Sequence, residues 1–460
     1  MMNELKIWVN KVKETPKANE YNEAGTINID IKYKGNLSSN IRDNWYKLGV
    51  KVLPPIYEDL FILSLVTFGV DKRVPRKVFP DAWTRKIKVS VPVIELETWN
   101  SVNQDLNRMI SYLSGDVWDF EFRECDPDSN YMSTKKRNPR TPEGLDGIRA
   151  VSLFSGGLDS FCGAQKLLSE NTATIFVGFQ EYGPLKGLQS TLLSALQRAY
   201  PGVFCDLFSF TAVARSLRFS DESISLESEN TSRSRSFLFL SAALSVAGIV
   251  GDGVPVYIPE NGFIGLNLPM TPSRLGSCST RTTHPYFLRL FNSLLEKVGI
   301  NHNIINPYAF NTKREMVQQF METQVFKENY YKTISCSHPC NGRWDGYPVP
   351  NNCGYCYPCL IRQSSLLDIE PSNESYGHDV LRMGYLNTAS ETKRSDLEDL
   401  LSSIVSANES NDNQLRKRIA LTGKLTHEDI ERFLRLYRMT VSDLKHLLCR
   451  NKDYQRLLGE

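Results

Sequence analysis

No stretch of this chain is apolar for long enough to span a bilayer. The longest apolar run, Phe237 to Val250, falls short of the roughly 20 residues a crossing helix needs and predicts a buried helix instead. The opening residues, MMNELKIWVNKVKETPK, contain no apolar h-region, so no secretory signal is expected. Charge excess is missing too: 54 Lys and Arg against 52 Asp and Glu leave a formal +2. That near balance gives no global pull toward nucleic acid or an anionic membrane, and neither is expected as a partner.

What is present suits a globular protein. Hydrophobic residues make up 41% and charged residues 23% of 460, a length sufficient for two or three domains. The ten cysteines are unevenly spread, and four crowd between Cys340 and Cys359. In a chain without an export signal such clustering points to metal rather than disulfides, and to the cytoplasm.

One stretch organises the rest. Val151 to Phe154 is a short apolar run that predicts a buried strand, and the polar turn Ser155-Gly156-Gly157 follows it. Leu158, Phe161, Ala164, Leu167 and Leu168 then recur three or four residues apart, the spacing of a helix face. A strand that turns through glycines into a helix leaves N–H groups unpaired at the positive end of the helix dipole. Such a corner suits an anion, phosphate above all. Gly156 and Gly157 permit close backbone approach, Ser155 and Ser160 add hydroxyl donors, and Asp159 can orient a Mg²⁺ or a backbone amide. A glycine turn followed by Asp is also an ordinary helix start, and no Gly-Lys-Ser/Thr ends it as in a Walker loop.

Four segments follow from the pattern. Residues 1–125 predict a small α+β domain: Ile87, Val89, Val91 and Val93 alternate with polar residues, and Pro92 suggests an edge strand. Trp118, Phe120 and Phe122 alternate as well, while Val102, Leu106, Met109 and Leu113 form a helical stripe; these aromatics read as core. Residues 126–147, rich in Pro and Gly with the basic run Lys135-Lys136-Arg137 and Arg140, predict a linker with a solvated charge run. Between 148 and 368, strand-like runs such as Thr174 to Phe179 and Val203 to Phe210 alternate with helical stretches. The expectation is an α/β, doubly wound parallel sheet, with ligands beyond the carboxyl ends of its strands. Residues 369–460 predict a helical extension, with one helix capped by Ser395 and Glu398, another by Thr426 and Asp429, and a loop from Asn408 to Asn413. His427 and His446 lack metal-ligand spacing, and Cys162 reads as a packed thiol.

Cys353-Gly-Tyr-Cys356-Tyr-Pro-Cys359 spaces three thiols to close around one tetrahedral ion, and either Cys336 or Cys340 supplies the fourth. Zn²⁺ is the favoured ion, with an iron–sulfur cluster as rival. A closed four-thiolate site is structural, clamping the segment near the nucleotide pocket.

Several of these stretches, in order from about Ala150 to Leu366, resemble one family: the 7-cyano-7-deazaguanine synthases (QueC-like) of the PP-loop ATP pyrophosphatases. SGGLDS at Ser155 to Ser160 resembles its phosphate loop, and FQEYG at Phe179 to Gly183 its aromatic-Tyr-Gly stretch. The segment from Arg235 to Ser241 is similar to its arginine-led helix, and Thr312-Lys313-Arg314-Glu315-Met316-Val317 to its TKxEIV segment. Thr333 to Cys336 followed by CGYCYPCLIR resembles its zinc motif. The chain departs at Ser236, where the family carries Asn, and at His284-Pro285-Tyr286-Phe287-Leu288, where it carries YPDCR. The interval from Cys336 to Cys353 is longer than usual and holds the additional Cys340. Flanking segments outside the match make the architecture look like the QueC-like proteins of antiphage defence clusters, the Qat systems and type IV CBASS.

The resemblance implies an adenine-nucleotide α-hydrolase-like fold that binds ATP, Mg²⁺ and Zn²⁺, with an acyl-adenylate formed from a carboxylate such as 7-carboxy-7-deazaguanine. An amine then displaces AMP; it is ammonia in the housekeeping enzyme, and a protein from the same defence cluster is the candidate acceptor here. Implied phosphate contacts are Ser155, Gly156, Gly157, Leu158, Asp159 and Ser160, with Asp159, Ser160, Arg235 and Lys313 in catalysis. Glu260, Asn261, Arg281, Thr282 and His284 face the substrate, and Cys336, Cys353, Cys356 and Cys359 hold the metal. The alternatives are an ammonia-using small-molecule synthase, an RNA-modifying PP-loop enzyme that uses Lys135 to Arg140, and a non-catalytic nucleotide and zinc adaptor.

Overall fold

The computed structural model describes residues 3–11, 25–32, 35–125, 131–133, 145–217, 219, 228–229, 233–269, 281–369 and 373–459. The basic run from Lys135 to Arg140, most of the expected linker, and Ser279 and Thr280 lie outside the described residues.

Alternating apolar side chains build the first sheet. β1 (Leu5–Lys11), β2 (Thr26–Ile31) and β3 (Leu37–Ser39) each bury about every second residue, as strands with one covered face do. After the helix α1 (Pro55–Arg73) come β4 (Lys86–Val93), α2 (Leu96–Ser101), α3 (Asn103–Ser114) and β5 (Val117–Glu124). The order is β5-β4-β1-β2-β3, parallel throughout, and residues Ala212–Ala214 from the following half pair antiparallel with β3. The expected α+β unit is therefore a parallel sheet completed by a later segment. Nor is β4 an edge strand, since it lies between β1 and β5. Pro92 fits because β1 pairs with β4 only as far as Ser90, so one side of β4 is already open at the proline.

The second sheet takes β6 (Ala150–Leu153), β7 (Thr174–Phe179) and β8 (Cys205–Phe210), with α4 (Leu158–Ser169) and α5 (Leu185–Ala199) between them. Past β9 (Ala212–Ala214) and α6 (Arg235–Val250) come β10 (Val256–Tyr257), α7 (Gly262–Leu266), α8 (Pro285–Lys297) and β11 (Ile304–Ile305). Its strands are parallel in the order β11-β10-β6-β7-β8. The chain winds outward from β6 in one direction and resumes from β10 in the other, so β6 and β10 flank a topological switch point. A crevice opens beyond the carboxyl ends of two such strands. This is the α/β architecture with a mostly parallel sheet that the alternation implied.

Helices α1 and α6 join the sheets. Both are buried on nearly every side, α1 from Glu58 to Asp71 and α6 from Ser236 to Ala247. A helix apolar all round must be covered all round; α6 lies on β6, β7 and β10, and α1 packs against α6. One hydrophobic core runs through both sheets, from Leu5 and Phe120 to Val151 and Phe291.

A buried carboxylate fixes this joint. Asp71, at the end of α1, accepts hydrogen bonds from the N–H groups of Arg233 and Ser234 at 2.6 and 2.8 Å, and from the Ser234 hydroxyl at 2.8 Å. It thus caps α6 from outside, since Ser234 makes no side-chain cap of its own. Arg85 pairs with both Asp71 and Asp116, and Arg76 joins at Asp116. Burial alone would raise the Asp71 carboxyl, but the charge and hydrogen bond of Arg85 and the Ser234 donors hold it below its ordinary value.

The last segment adds α9 (Lys313–Gln318), α10 (Gln324–Lys327), α11 (Tyr357–Ser365), α12 (Tyr385–Thr388), α13 (Glu391–Glu409), α14 (Asp412–Ala420), α15 (His427–Leu448) and α16 (Lys452–Leu457). Thr426 and Asp429 form the expected capping box. Ser395 caps nothing, because α13 begins earlier, after Ser390. Only Ser410 and Asn411 separate α13 from α14, where a longer loop was expected; Asn411 and Gln414 start α14 with a capping box of their own. The buried faces of α11 to α16 form one cluster with Cys353, Cys356 and Cys359, whereas those of α9 and α10 pack with α4 and α5. No helix of the described residues is long and apolar enough to cross a membrane.

Replacing Asp71 with Ala leaves Arg85 short of a buried partner and α6 uncapped. Such a break costs about 3–5 kcal/mol, to be read from urea unfolding, whereas replacing Asp105, which pairs with Lys297 on the exposed surface, changes stability by about 1 kcal/mol or less.

Candidate functional site

The glycine turn lies where the sequence put it, between β6 and α4. Gly156 has φ +84°, a conformation costly for any side chain. Gly157 is the N-cap of α4 and makes no side-chain cap. The first intrahelical bond runs from Phe161 N–H to the Gly157 carbonyl. The amides of Asp159 and Ser160 precede it and find no acceptor among the described residues, which leaves two donors at a helix N-terminus. The hydroxyls of Ser155 and Ser160 are 3.2 Å apart. Other donors are already engaged: Gly157 N–H bonds Ser155 Oγ and Leu158 N–H bonds Ser335 Oγ, both at 3.2 Å, and the Ser160 hydroxyl donates to the Gly157 carbonyl at 2.9 Å. The Leu158 amide expected on a phosphate is therefore taken by Ser335, and its side chain is fully buried.

Asp159 does not face a ligand. One oxygen pairs with Lys313 Nζ, and the other accepts from Asn261 N–H at 3.1 Å and Asn261 Nδ2 at 2.7 Å. Burial would raise its carboxyl, but the charge and hydrogen bond of Lys313, with the Asn261 donors, hold it below the ordinary range. The turn therefore offers no free carboxylate for Mg²⁺ in this arrangement. Asp159 instead ties α4 to the ends of β10 and α9, and Lys313 is buried behind the turn rather than on the cavity wall. Asn261 caps α7 through Ile264 N–H and is itself fully buried.

In front of the turn is a cavity of about 650 Å³, within the range of small-molecule sites. Leu153, Phe179, Phe210 and Ile258, the ends of four parallel strands or the residue just past one, line it together with Ser155 and Ser160. Arg235, the first residue of α6, enters from the opposite side and pairs with Glu181 at 2.6 Å. Glu260 and Thr282 complete the wall. Glu260 is pushed up to about 7, first by burial and then by the charge of Asp159, against the Thr283 hydrogen bond and Lys313.

Three of the substrate-facing expectations are corrected: Asn261 is buried against Asp159 and α7 and, like Arg281 and His284, is not part of the cavity wall. Arg281 stacks its guanidinium 4.5 Å from the Tyr112 ring and bonds the Tyr112 carbonyl at 2.7 Å, packing against α3. His284 is the N-cap of α8: its Nδ1 accepts from Tyr286 N–H at 3.1 Å, and its Nε2 meets Thr422 Oγ1 at 3.0 Å. Burial, then the nearby charges of Arg281 and Arg289, push it down to about 3, so it is neutral at physiological pH. Neither side chain is part of the cavity wall.

The fourth thiol is settled by position. Cys336, Cys353, Cys356 and Cys359 present sulfurs within 4.8 Å of one another, and Cys340 is not among them. The Cys336–Cys356 and Cys353–Cys359 sulfurs are 3.8 and 3.9 Å apart. A tetrahedron with Zn–S bonds of about 2.3 Å has edges near 3.8 Å, so the cluster fits one such ion and holds no disulfide. Backbone N–H groups of His338 and Cys353 point at Cys336 Sγ, and that of Cys356 at Cys353 Sγ, at 3.2–3.4 Å. Hydrogen bonds from the other thiols, Cys353 first, draw Cys336 below its ordinary value, toward the thiolate. Gly354, at φ +89° and with the His378 carbonyl where a Cβ would sit, makes the tight turn between two ligands.

This lobe touches the turn directly. Ile334 N–H bonds the Gly156 carbonyl at 3.0 Å, and Ser335 Oγ takes Leu158 N–H. Ser335 in turn accepts from Arg362 on α11, a fully buried guanidinium that also holds Thr333, the Tyr330 carbonyl and Glu374. Ser335 and Arg362 lay inside the quoted motifs without being given a role; an Arg three residues past a cysteine ligand, directly after the apolar stretch Leu360-Ile361, was the available signal. Cys162 is a fully buried packed thiol, pushed upward by that burial. No protein-family model matches this chain, and no curated protein matches it.

Cys336→Ser should abolish most of the bound metal, measured per chain by elemental analysis of the purified protein, and Cys340→Ser should retain it. Chelation should lower the unfolding temperature of the wild type, because a structural thiolate site contributes folding free energy.

Proposed function

We propose that this chain is an ATP-dependent, AMP- and pyrophosphate-forming enzyme of the PP-loop type, QueC-like in its chemistry. It activates a small-molecule carboxylate and passes the acyl group to an amine. The observation that carries the proposal is the glycine turn, with two amides unpartnered among the described residues and the Ser155 and Ser160 hydroxyls, opening into a cavity at the switch point of a parallel sheet. A carboxylate oxygen attacks the α-phosphorus of ATP, and the bond to pyrophosphate breaks with its electron pair on the leaving group. Charge builds on the pyrophosphate, where the Asp159 and Ser160 amides and the Ser155 hydroxyl stabilise it. Cys336, Cys353, Cys356 and Cys359 would hold Zn²⁺ with no position left open, and its contribution would be to hold the fold.

A planar, partly apolar acid suits the remaining wall, which mixes Phe179, Phe210 and Phe239 with Glu260. We assign 7-carboxy-7-deazaguanine or a relative as that acid, with Glu260 reading a ring amino group or the incoming amine. For the acceptor we favour a protein amine in an antiphage setting, because the first sheet and the C-terminal helices add surface beyond what the cavity needs.

With ATP and 7-carboxy-7-deazaguanine, the protein should release AMP and pyrophosphate in an acid-dependent manner. Ser155→Ala should slow that release about a hundredfold, by analogy with loss of one anion-stabilising donor. Intact-mass measurement of candidate acceptor proteins distinguishes conjugation from release of a free nitrile or amide. ATP unchanged, or cleaved to ADP, contradicts the assignment.

A further inference from the structure

We propose that Glu260 accepts the proton lost by the amine when it attacks the activated acyl group, with Thr283 holding the carboxylate in position. The inference rests on the adenylation chemistry above and assigns its second step.

Three observations place Glu260 for the task. It follows β10 at the carboxyl edge of the sheet and lines the same cavity as Ser155 and Ser160. Its backbone is pinned on both sides: its N–H donates to Asn306 Oδ1 at 3.3 Å, and its carbonyl accepts from Asn306 Nδ2 at 2.8 Å. The next residue, Asn261, is fixed to Asp159 in the first turn of α4. A carboxylate on so short a tether to the phosphate-binding turn stays close to wherever the acyl phosphate forms.

Its hydrogen bonding is half complete. Oε2 accepts from the Thr283 hydroxyl, while Oε1 has no partner among the described residues. The other carboxylates nearby are committed, Asp159 to Lys313 and Asn261, and Glu181 to Arg235. His338 also lines the cavity, on the side of the cysteine lobe, against the Tyr355 ring. Among the described residues Glu260 is thus the carboxylate of the wall without an ion-pair partner. The charged groups facing it are Asp159, which raises it, and Lys313, which lowers it; burial is the largest influence, and the balance lies at about 7. A base poised there accepts a proton at physiological pH and returns it to solvent.

The step balances without an added oxidant or reductant. The amine nitrogen forms a bond to the acyl carbon, and the carbon–oxygen bond to AMP breaks with its electron pair on AMP. The nitrogen's excess proton moves to Glu260 Oε1. Hydroxylamine, made unusually nucleophilic by the oxygen next to its nitrogen, attacks an activated acyl group with little help from a base, whereas an alkylamine depends on that help far more.

The test compares wild type with Glu260→Gln, using ATP, 7-carboxy-7-deazaguanine and either methylamine or hydroxylamine, from about pH 6 to 9. Acid-dependent exchange of pyrophosphate into ATP reports the first step in the same samples. With wild type and methylamine, transfer should fall about tenfold per pH unit below about 7, beyond the change in free amine. In the Gln variant methylamine transfer should drop about 10²–10⁴-fold and lose that acid limb, while hydroxylamine transfer drops much less. Glu260→Asp should keep the limb at reduced rate, and His338→Ala should keep both limb and nucleophile dependence. Equal losses with the two nucleophiles, or an unaltered pH profile in Glu260→Gln, would overturn the assignment while leaving adenylation standing. Absence of acid-dependent exchange in wild type would instead remove the first step, and this one with it.

Discussion

A glycine turn that presents its amides to a cavity has to be both bare and rigid, and here rigidity comes from a neighbour. Gly156, with its positive φ, provides no side chain to anchor the turn. Two hydrogen bonds do so instead, from Ile334 N–H to the Gly156 carbonyl and from Leu158 N–H to Ser335 Oγ. Both partners lie just before Cys336, and Ser335 is held by Arg362, three residues beyond Cys359. The cysteine cluster and the turn are therefore one mechanical unit, although nearly two hundred residues separate them in sequence.

The opposite wall is set by a different device. Arg235 begins α6, and the cap of α6 is a carboxylate supplied by α1. The N–H groups that lead into a helix buried on every side cannot reach water, so the group that holds them has to come from whatever covers the helix. That requirement gives the first sheet a physical purpose that its sequence did not announce. It positions one arginine of the cavity while sharing a core with the second sheet.

Local periodicity made the second sheet legible. Thr174 to Phe179 became β7, the Phe237 run became α6, and the stripe from Leu158 became α4. The parallel pairing of the first sheet was not legible, because alternation reports a buried face and is silent on strand direction. Pro92 misled for a related reason: a proline marks an open side of a strand, which occurs within an inner strand once its neighbour has ended. Among site residues, the thiol spacing left Cys336 and Cys340 equal, and only the fold brings Cys336 to the cluster. Arg281 and His284 carried suggestive chemistry but lie against Tyr112, in a contact between segments far apart in the chain. Asp159 showed the same limit. Its place in the turn was plain, whereas its commitment to Lys313 and Asn261 needed three strand ends brought together.

The most direct test of the coupling between metal lobe and turn is hydrogen–deuterium exchange on the full chain, metal-loaded and metal-stripped. Loss of the ion should speed exchange in peptides covering Phe154 to Phe161 and Tyr330 to Cys336, while β7 keeps its protection. A metal-stripped protein whose cysteine segment exchanges quickly while Gly157 and Leu158 stay as protected as before would contradict the account.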